Sequence, residues 1–152
     1  MTFASSILRT LDACRGIAGR MGLHPFAVTV RVNRWSGGAP GLGTKTTSDT
    51  RLFVSADQNP IVKQVSQREA IASGGLYSNQ DLRVGPFTPP FLGGGLDFAT
   101  VDPALNPGTE FFFHITGPGL PVSGQWFEKV TKETDSALHI YWVVRAIAVQ
   151  NP

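Results

Sequence analysis

The sequence predicts a mainly β domain, an antiparallel β-barrel or sandwich with an N-terminal amphipathic helix and long loops. Three observations predict it. After residue 26 several short runs alternate apolar with polar residues, the period-two signature of half-buried strands. Glycine, proline, asparagine and serine separate these runs without intervening helix-length patterns, which argues against a parallel α/β sheet. The first 22 residues alone show helical spacing.

That N-terminal stripe is Phe3, Ile7, Leu11, Cys14, Ala18 and Met21, stopped by Gly22 and Pro25. Gly16 and Gly19 each cost up to about 1 kcal/mol relative to alanine, whereas burying a large stripe residue gains roughly 1.5–3 kcal/mol. The helix is therefore expected only where the stripe has a surface to pack on, in the domain body or on another subunit.

The body is expected over residues 26–149 of a single domain spanning 1–152. Its first strand is Ala27–Trp35, with Val28, Val30 and Val32 on one face, and it ends at Ser36-Gly37-Gly38. A loop over 36–49 precedes a strand at Arg51–Ser55, and another strand covers Ile61–Val65. Ser66-Gln67-Arg68-Glu69 has capping-box spacing before Ala70-Ile71-Ala72; a single helical turn and a strand continuation both fit it. Gln80–Val84 reads as a strand. The stretch 85–109 follows, with Pro86, Pro89, Pro90, Gly93–Gly95, Pro103 and Pro107, and is expected as a long loop reaching a neighbouring molecule. Three strands close the chain: Glu110–Thr116, Gln125–Lys132 and Ala137–Val149, the last two joined by a turn at Glu133–Ser136.

A chain of 152 residues with 41% hydrophobic and 16% charged residues can bury a substantial core, yet it carries less charge than most soluble domains. The charge is uneven. Through Leu76 nine basic residues face four acidic ones, whereas from Tyr77 four face seven, giving +5 and −3. Opposite halves can favour head-to-tail contacts between copies; a merely solvated surface fits equally. The single cysteine, Cys14, excludes an internal disulfide and a multi-cysteine zinc site. No apolar run approaches the roughly 20 residues of a membrane-spanning helix, so a soluble chain made in a reducing compartment is expected.

Catalytic signatures are weak. In Gly38–Thr46, Thr44 separates the last glycine from Lys45, and a strand rather than a helix follows, so the segment fails as a phosphate loop. His24, His114 and His139 lack partners at metal-site spacing, and no serine sits in Gly-x-Ser-x-Gly. Neither enzymatic activity nor a metal or cofactor is expected. Phe111-Phe112-Phe113 fills both faces of its strand, with core packing favoured over a ligand site.

The order of phrases then carries a resemblance. Val-Thr-Val-Arg (28–31) leads to Trp35-Ser36-Gly37-Gly38. Val65-Ser66-Gln67-Arg68-Glu69 comes next, then Asp81-Leu82-Arg83-Val84-Gly85-Pro86-Phe87-Thr88-Pro89. Phe113-His114-Ile115-Thr116-Gly117-Pro118-Gly119 and His139–Arg145 follow. The chain resembles the neck proteins of tailed bacteriophages, the head-completion or stopper type of head–tail connector. The resemblance implies a β-barrel whose copies form a ring in the virion neck, made in the bacterial host cytoplasm. Portal or adaptor proteins would lie on one side and a tail terminator or tail tube on the other, with DNA passing through without sequence readout. No catalytic residues come with it. Lys45 and Arg51, beside the first long loop, would meet DNA phosphates; Ile7, Leu11, Phe87, Phe91, Leu96 and Phe98 would contact subunits or partners. A tail terminator ring and a barrel-type nucleic-acid-binding module are the alternatives.

Overall fold

The computed structural model describes residues 26–53, 59–87, 91–93, 96–135 and 139–152. The predicted helix, with Ile7 and Leu11, lies outside them. Among the described residues nine strands occur in this order: β1 (Ala27–Trp35), β2 (Lys45–Leu52), β3 (Ile61–Gln64), β4 (Leu82–Phe87), β5 (Phe91–Gly93), β6 (Leu96–Asp97), β7 (Thr109–Thr116), β8 (Gln125–Asp135) and β9 (His139–Ala146). A six-residue helix, α1 (Gln67–Ala72), and a 3-10 turn (Phe98–Thr100) complete the elements. Seven strands form one antiparallel sheet in the order β2-β1-β7-β8-β9-β4-β3, while β5 and β6 form a separate hairpin. The ladder starts at β2, ends at β3 and does not close.

Alternation decides which face is buried. Val28, Val30 and Val32 of β1 pair with Ile115, Phe113 and Phe111 of β7, so large side chains stack across neighbouring strands. Phe127, Ile140, Trp142, Val144 and Val84 continue the same layer, and all belong to one core. Phe111 and Phe113 point into it, whereas Phe112 is half-buried on the reverse face. The aromatic run thus serves two faces, as its sequence suggested.

The described residues cover the reverse face only in part. Val143 is fully buried between β4 and β8, on the side where α1 and the segment 73–81 lie, and Val65 is buried just before α1. Of the two readings of Ser66–Ala72, the helical one holds. Ser66 Oγ accepts the Glu69 N–H at 3.1 Å, and the Ser66 hydroxyl donates to Glu69 Oε1 at 3.2 Å, a reciprocal capping box.

Three boundaries are corrected. The expected loop 36–49 is a short turn, because β2 begins at Lys45 and pairs residue for residue with β1. Lys45–Asp49 is polar and exposed on both faces of an edge strand, so alternation could not reveal it. The turn closes through Ser36 N–H to Thr44 O at 3.0 Å. Gly43 has φ +82°, and a Cβ there would lie 2.3 Å from Ser36 Oγ, so glycine is required.

The stretch 85–109 is likewise no open loop: β4 runs to Phe87, the β5–β6 hairpin and 3-10 turn follow, and Val101 is fully buried. Finally, β8 extends through Glu133 to Asp135, which pairs with His139, so Glu133–Asp135 are strand where the sequence reading placed a turn.

Candidate assembly surface

Among the described residues each end of the sheet offers a strand paired on one side only. At one end, β2 presents Lys45, Thr47, Asp49 and Arg51 on the face opposite Leu52. At the other, β3 exposes Ile61. One-sided strands carry unpaired backbone donors and acceptors, the usual template for adding another chain.

The two basic residues singled out for DNA share this face of β2, and each has a partner. Lys45 Nζ lies 5.7 Å above the Trp35 ring, whose Nε1 donates to Glu110 Oε1 at 3.1 Å. Asn33 Nδ2 donates to the same oxygen at 3.2 Å, and Thr47 donates to Asn33 Oδ1 at 2.8 Å, which satisfies the fully buried Asn33. Arg51 donates to Asn59 Oδ1 at 2.9 Å.

Between them stands a motif the sequence did not reveal. Arg31 forks onto Asp49 at 2.9 and 3.1 Å, lies 4.5 Å over the Trp126 ring, and donates to Asn151 Oδ1 near the C-terminus. The bond to Asp49 raises the Arg31 pKa, and the same bond holds the Asp49 carboxyl below its ordinary range. His114 also lies against Trp126, with ring centroids 4.6 Å apart and planes tilted by 48°, and its Nε2 is 3.0 Å from Ser123 O.

The expected contact residues divide. Phe87 is 2% exposed and belongs to the protomer's own core, which corrects its assignment to a subunit interface. Its alternation with Val84, across a register shift in β4, turns it inward. Leu96 and Phe98 are half-buried against the same core, so their packing is mostly intramolecular. The Phe98 ring lies 4.6 Å from Trp142 and 6.0 Å from Phe111, with Lys129 and Lys132 at 5.7 and 5.1 Å above it. Phe91 contributes its backbone to β5, and its side chain lies outside the description.

No family model, curated protein or solved structure matches this chain.

A second charge cluster fastens α1 and the segment 73–81 to the sheet. Arg83 contacts Glu133 at 2.8 Å and Glu69 at 2.6 Å, and Tyr77 Oη donates to Glu133 Oε1 at 2.7 Å. Burial, together with that bond to Glu133, pushes the Tyr77 pKa up to about 12. Burial alone would raise the Glu133 pKa, but the bonds from Arg83 and Tyr77 leave it below the ordinary carboxylate value. Asp81 is 1% exposed and accepts two bonds from Arg145, at 3.0 and 2.9 Å. The pairs of Glu133 with Arg83 and Tyr77, and of Asp81 with Arg145, bridge 50 to 64 residues, so no local spacing announces them; only strand register does. Among the described residues no three His, Cys, Asp or Glu side chains gather as a metal cage.

Proposed function

We propose that this chain is a structural virion protein of a tailed bacteriophage, a ring-forming head–tail connector of the stopper type that closes the DNA channel in the neck. The observation that carries this reading is the open sheet, ending in β2 on one side and β3 on the other. Two unlike, one-sided ends allow heterologous, head-to-tail contacts, which close into a ring when the rotation permits. The opposite net charges of the two halves support the same arrangement. Two interfaces of about 800 Å² each would take about a fifth of the 8462 Å² protomer surface, compatible with the low charge content.

In this reading the sheet curls toward a barrel, with the β5–β6 hairpin as its bridge, since β5 approaches both β2 and β4. The N-terminal segment forms an amphipathic helix. Portal or adaptor proteins and the tail terminator or tail tube are the axial partners, and Lys45 and Arg51 face passing DNA. A free-standing nucleic-acid module fits less well. Trp35 and Trp126, the aromatics it would need for stacking, are already covered by Lys45 and Arg31.

Negative-stain imaging of the purified chain, alone and mixed with tailless heads, tests the proposal. Rings, or density at the head's exit vertex, are expected. A monomer that never joins particles at any concentration would overturn it.

A further inference from the structure

We infer that Arg34, Lys129 and Lys132, gathered around the 3-10 turn at Phe98–Thr100, form a surface that binds the phosphate backbone of a nucleic acid without reading its bases. β8 is the middle strand of the seven, and its neighbours bury Phe111, Trp142 and Val144 on the core face. On that same face β8 places Lys129 opposite Val144 and Lys132 opposite Trp142. Residues three apart on a regular strand point to opposite faces. A bulge at Val130, where the register shifts between Lys129 and Thr131, turns the two lysines to one side. Their ammonium groups converge: Lys129 Nζ and Lys132 Nζ lie 5.7 and 5.1 Å from the centre of the Phe98 ring. Arg34, two residues beyond the buried Val32 on β1, reaches the same turn, with Nη2 3.5 Å from Thr100 O.

Charge pairing sets this cluster apart. Arg31, Arg83 and Arg145 each bind a carboxylate, whereas Arg34, Lys129 and Lys132 join no ion pair among the described residues, and all three are exposed. Asp97 and Asp102 border the turn, but their carboxylates accept the backbone N–H groups of Ala99 and Ala104. Like charges held together beside aromatic rings repel one another, and an anion seated on them relieves that repulsion. The cluster is too wide for one small anion, because β1 and β8 flank β7 and so lie roughly 10 Å apart. A chain of regularly spaced charges spans it. A second copy presents no such row among its described residues, since Asp49, Glu69, Asp81 and Glu133 are already bound to arginines. A phosphodiester backbone fits. The lysines cover the Phe98 ring, leaving no bare face there for a base to stack on, so the contact is with phosphates alone. Lys45 and Arg51 pair with Trp35 and Thr29 on the opposite face of the sheet. The inference needs no ring, and the neck reading survives its failure.

Fluorescence anisotropy tests this, with the full chain titrated into short labelled DNA duplexes of two unrelated sequences over a series of salt concentrations. Arg34→Gln, Lys129→Gln and Lys132→Gln keep most of each side-chain stem, and circular dichroism checks that each variant folds. Each should weaken binding equally for both sequences and lower the slope of log affinity against log salt by about 0.9. Lys129→Arg and Lys132→Arg, which retain the charge, should keep the parent slope. Lys63→Gln and Arg68→Gln, exposed at the β3 end, should also leave it unchanged. A parent chain without salt-dependent DNA affinity would overturn the inference, as would equal slopes in the parent and the three Gln variants. A slope lowered just as much by Lys63→Gln would do the same. Two competitors complete the test. Displacement of the duplex by polyglutamate at matched charge concentration would give the surface to an acidic protein segment, and displacement by inorganic phosphate at matched ionic strength would reduce it to a simple anion site; either result overturns the proposal.

Discussion

Arg83 on β4 reaches across β9 to Glu133 on β8, its Nε 2.8 Å from Oε2, and on the strand between them the fully buried Val143 pairs with Arg83 while Tyr141 pairs with Glu133. The pair joins three strands and, through Glu69, anchors α1. Both groups are mostly shielded, at 20% and 30% side-chain exposure, so removing one strands a charge beside apolar surface. Glu133→Gln should cost about 1–2 kcal/mol, between the values for exposed and fully buried pairs. The urea midpoint of the purified variant measures it. No change would show that solvent carries Arg83 without help.

Asp81 makes stability depend on acid. Burial opposes its ionisation, but the Arg145 guanidinium and the Ser78 N–H outweigh that and hold its pKa below the ordinary value near 3.8. A carboxyl depressed on folding binds its proton more tightly when unfolded. Its contribution is therefore complete above the ordinary pKa and disappears as pH falls through the folded value. Thermal stability should decline below about pH 4, and Asp81→Asn should flatten the decline. Parallel pH curves for the two proteins would contradict this.

Phe98 tests whether the stretch after β4 belongs to the core. Its ring contacts Trp142 and Phe111, so Phe98→Ala should destabilise the protomer by about 2–3 kcal/mol, below the roughly 3–5 kcal/mol of fully buried aromatics because Phe98 is half-buried. Chemical denaturation of the monomer reads this. A variant as stable as the parent but defective in assembly would return Phe98 to the interface.

The paired substitutions Lys45→Glu and Arg51→Glu bear on the neck proposal alone. Both residues are exposed, so circular dichroism and melting temperature should barely move, within about 0.5 kcal/mol in stability. Particles carrying the variant should still assemble but eject or retain DNA abnormally. Normal infectivity would remove these residues from the channel.

Much of the architecture is readable in the linear chain, because burial on one face of a strand imposes alternation. Val28-Val30-Val32 and Ile140-Trp142-Val144 announce their strands and their buried faces. The capping box at Ser66–Glu69 is local chemistry and equally legible as a possibility. Where a strand is exposed on both faces, as in Lys45–Asp49, that signal vanishes and the segment reads as loop. A Gly/Pro-rich stretch can also hide a buried anchor, as Phe98 and Val101 do, because one or two apolar residues establish no period.

By itself the sequence determined a β-rich body, its principal strands and the inward set of residues, since these follow from neighbours two positions apart. Only the tertiary structure decided which charges meet. Arg31 with Asp49, Arg83 with Glu133 and Arg145 with Asp81 are brought together by sheet order and register, long-range properties that no short window of residues contains.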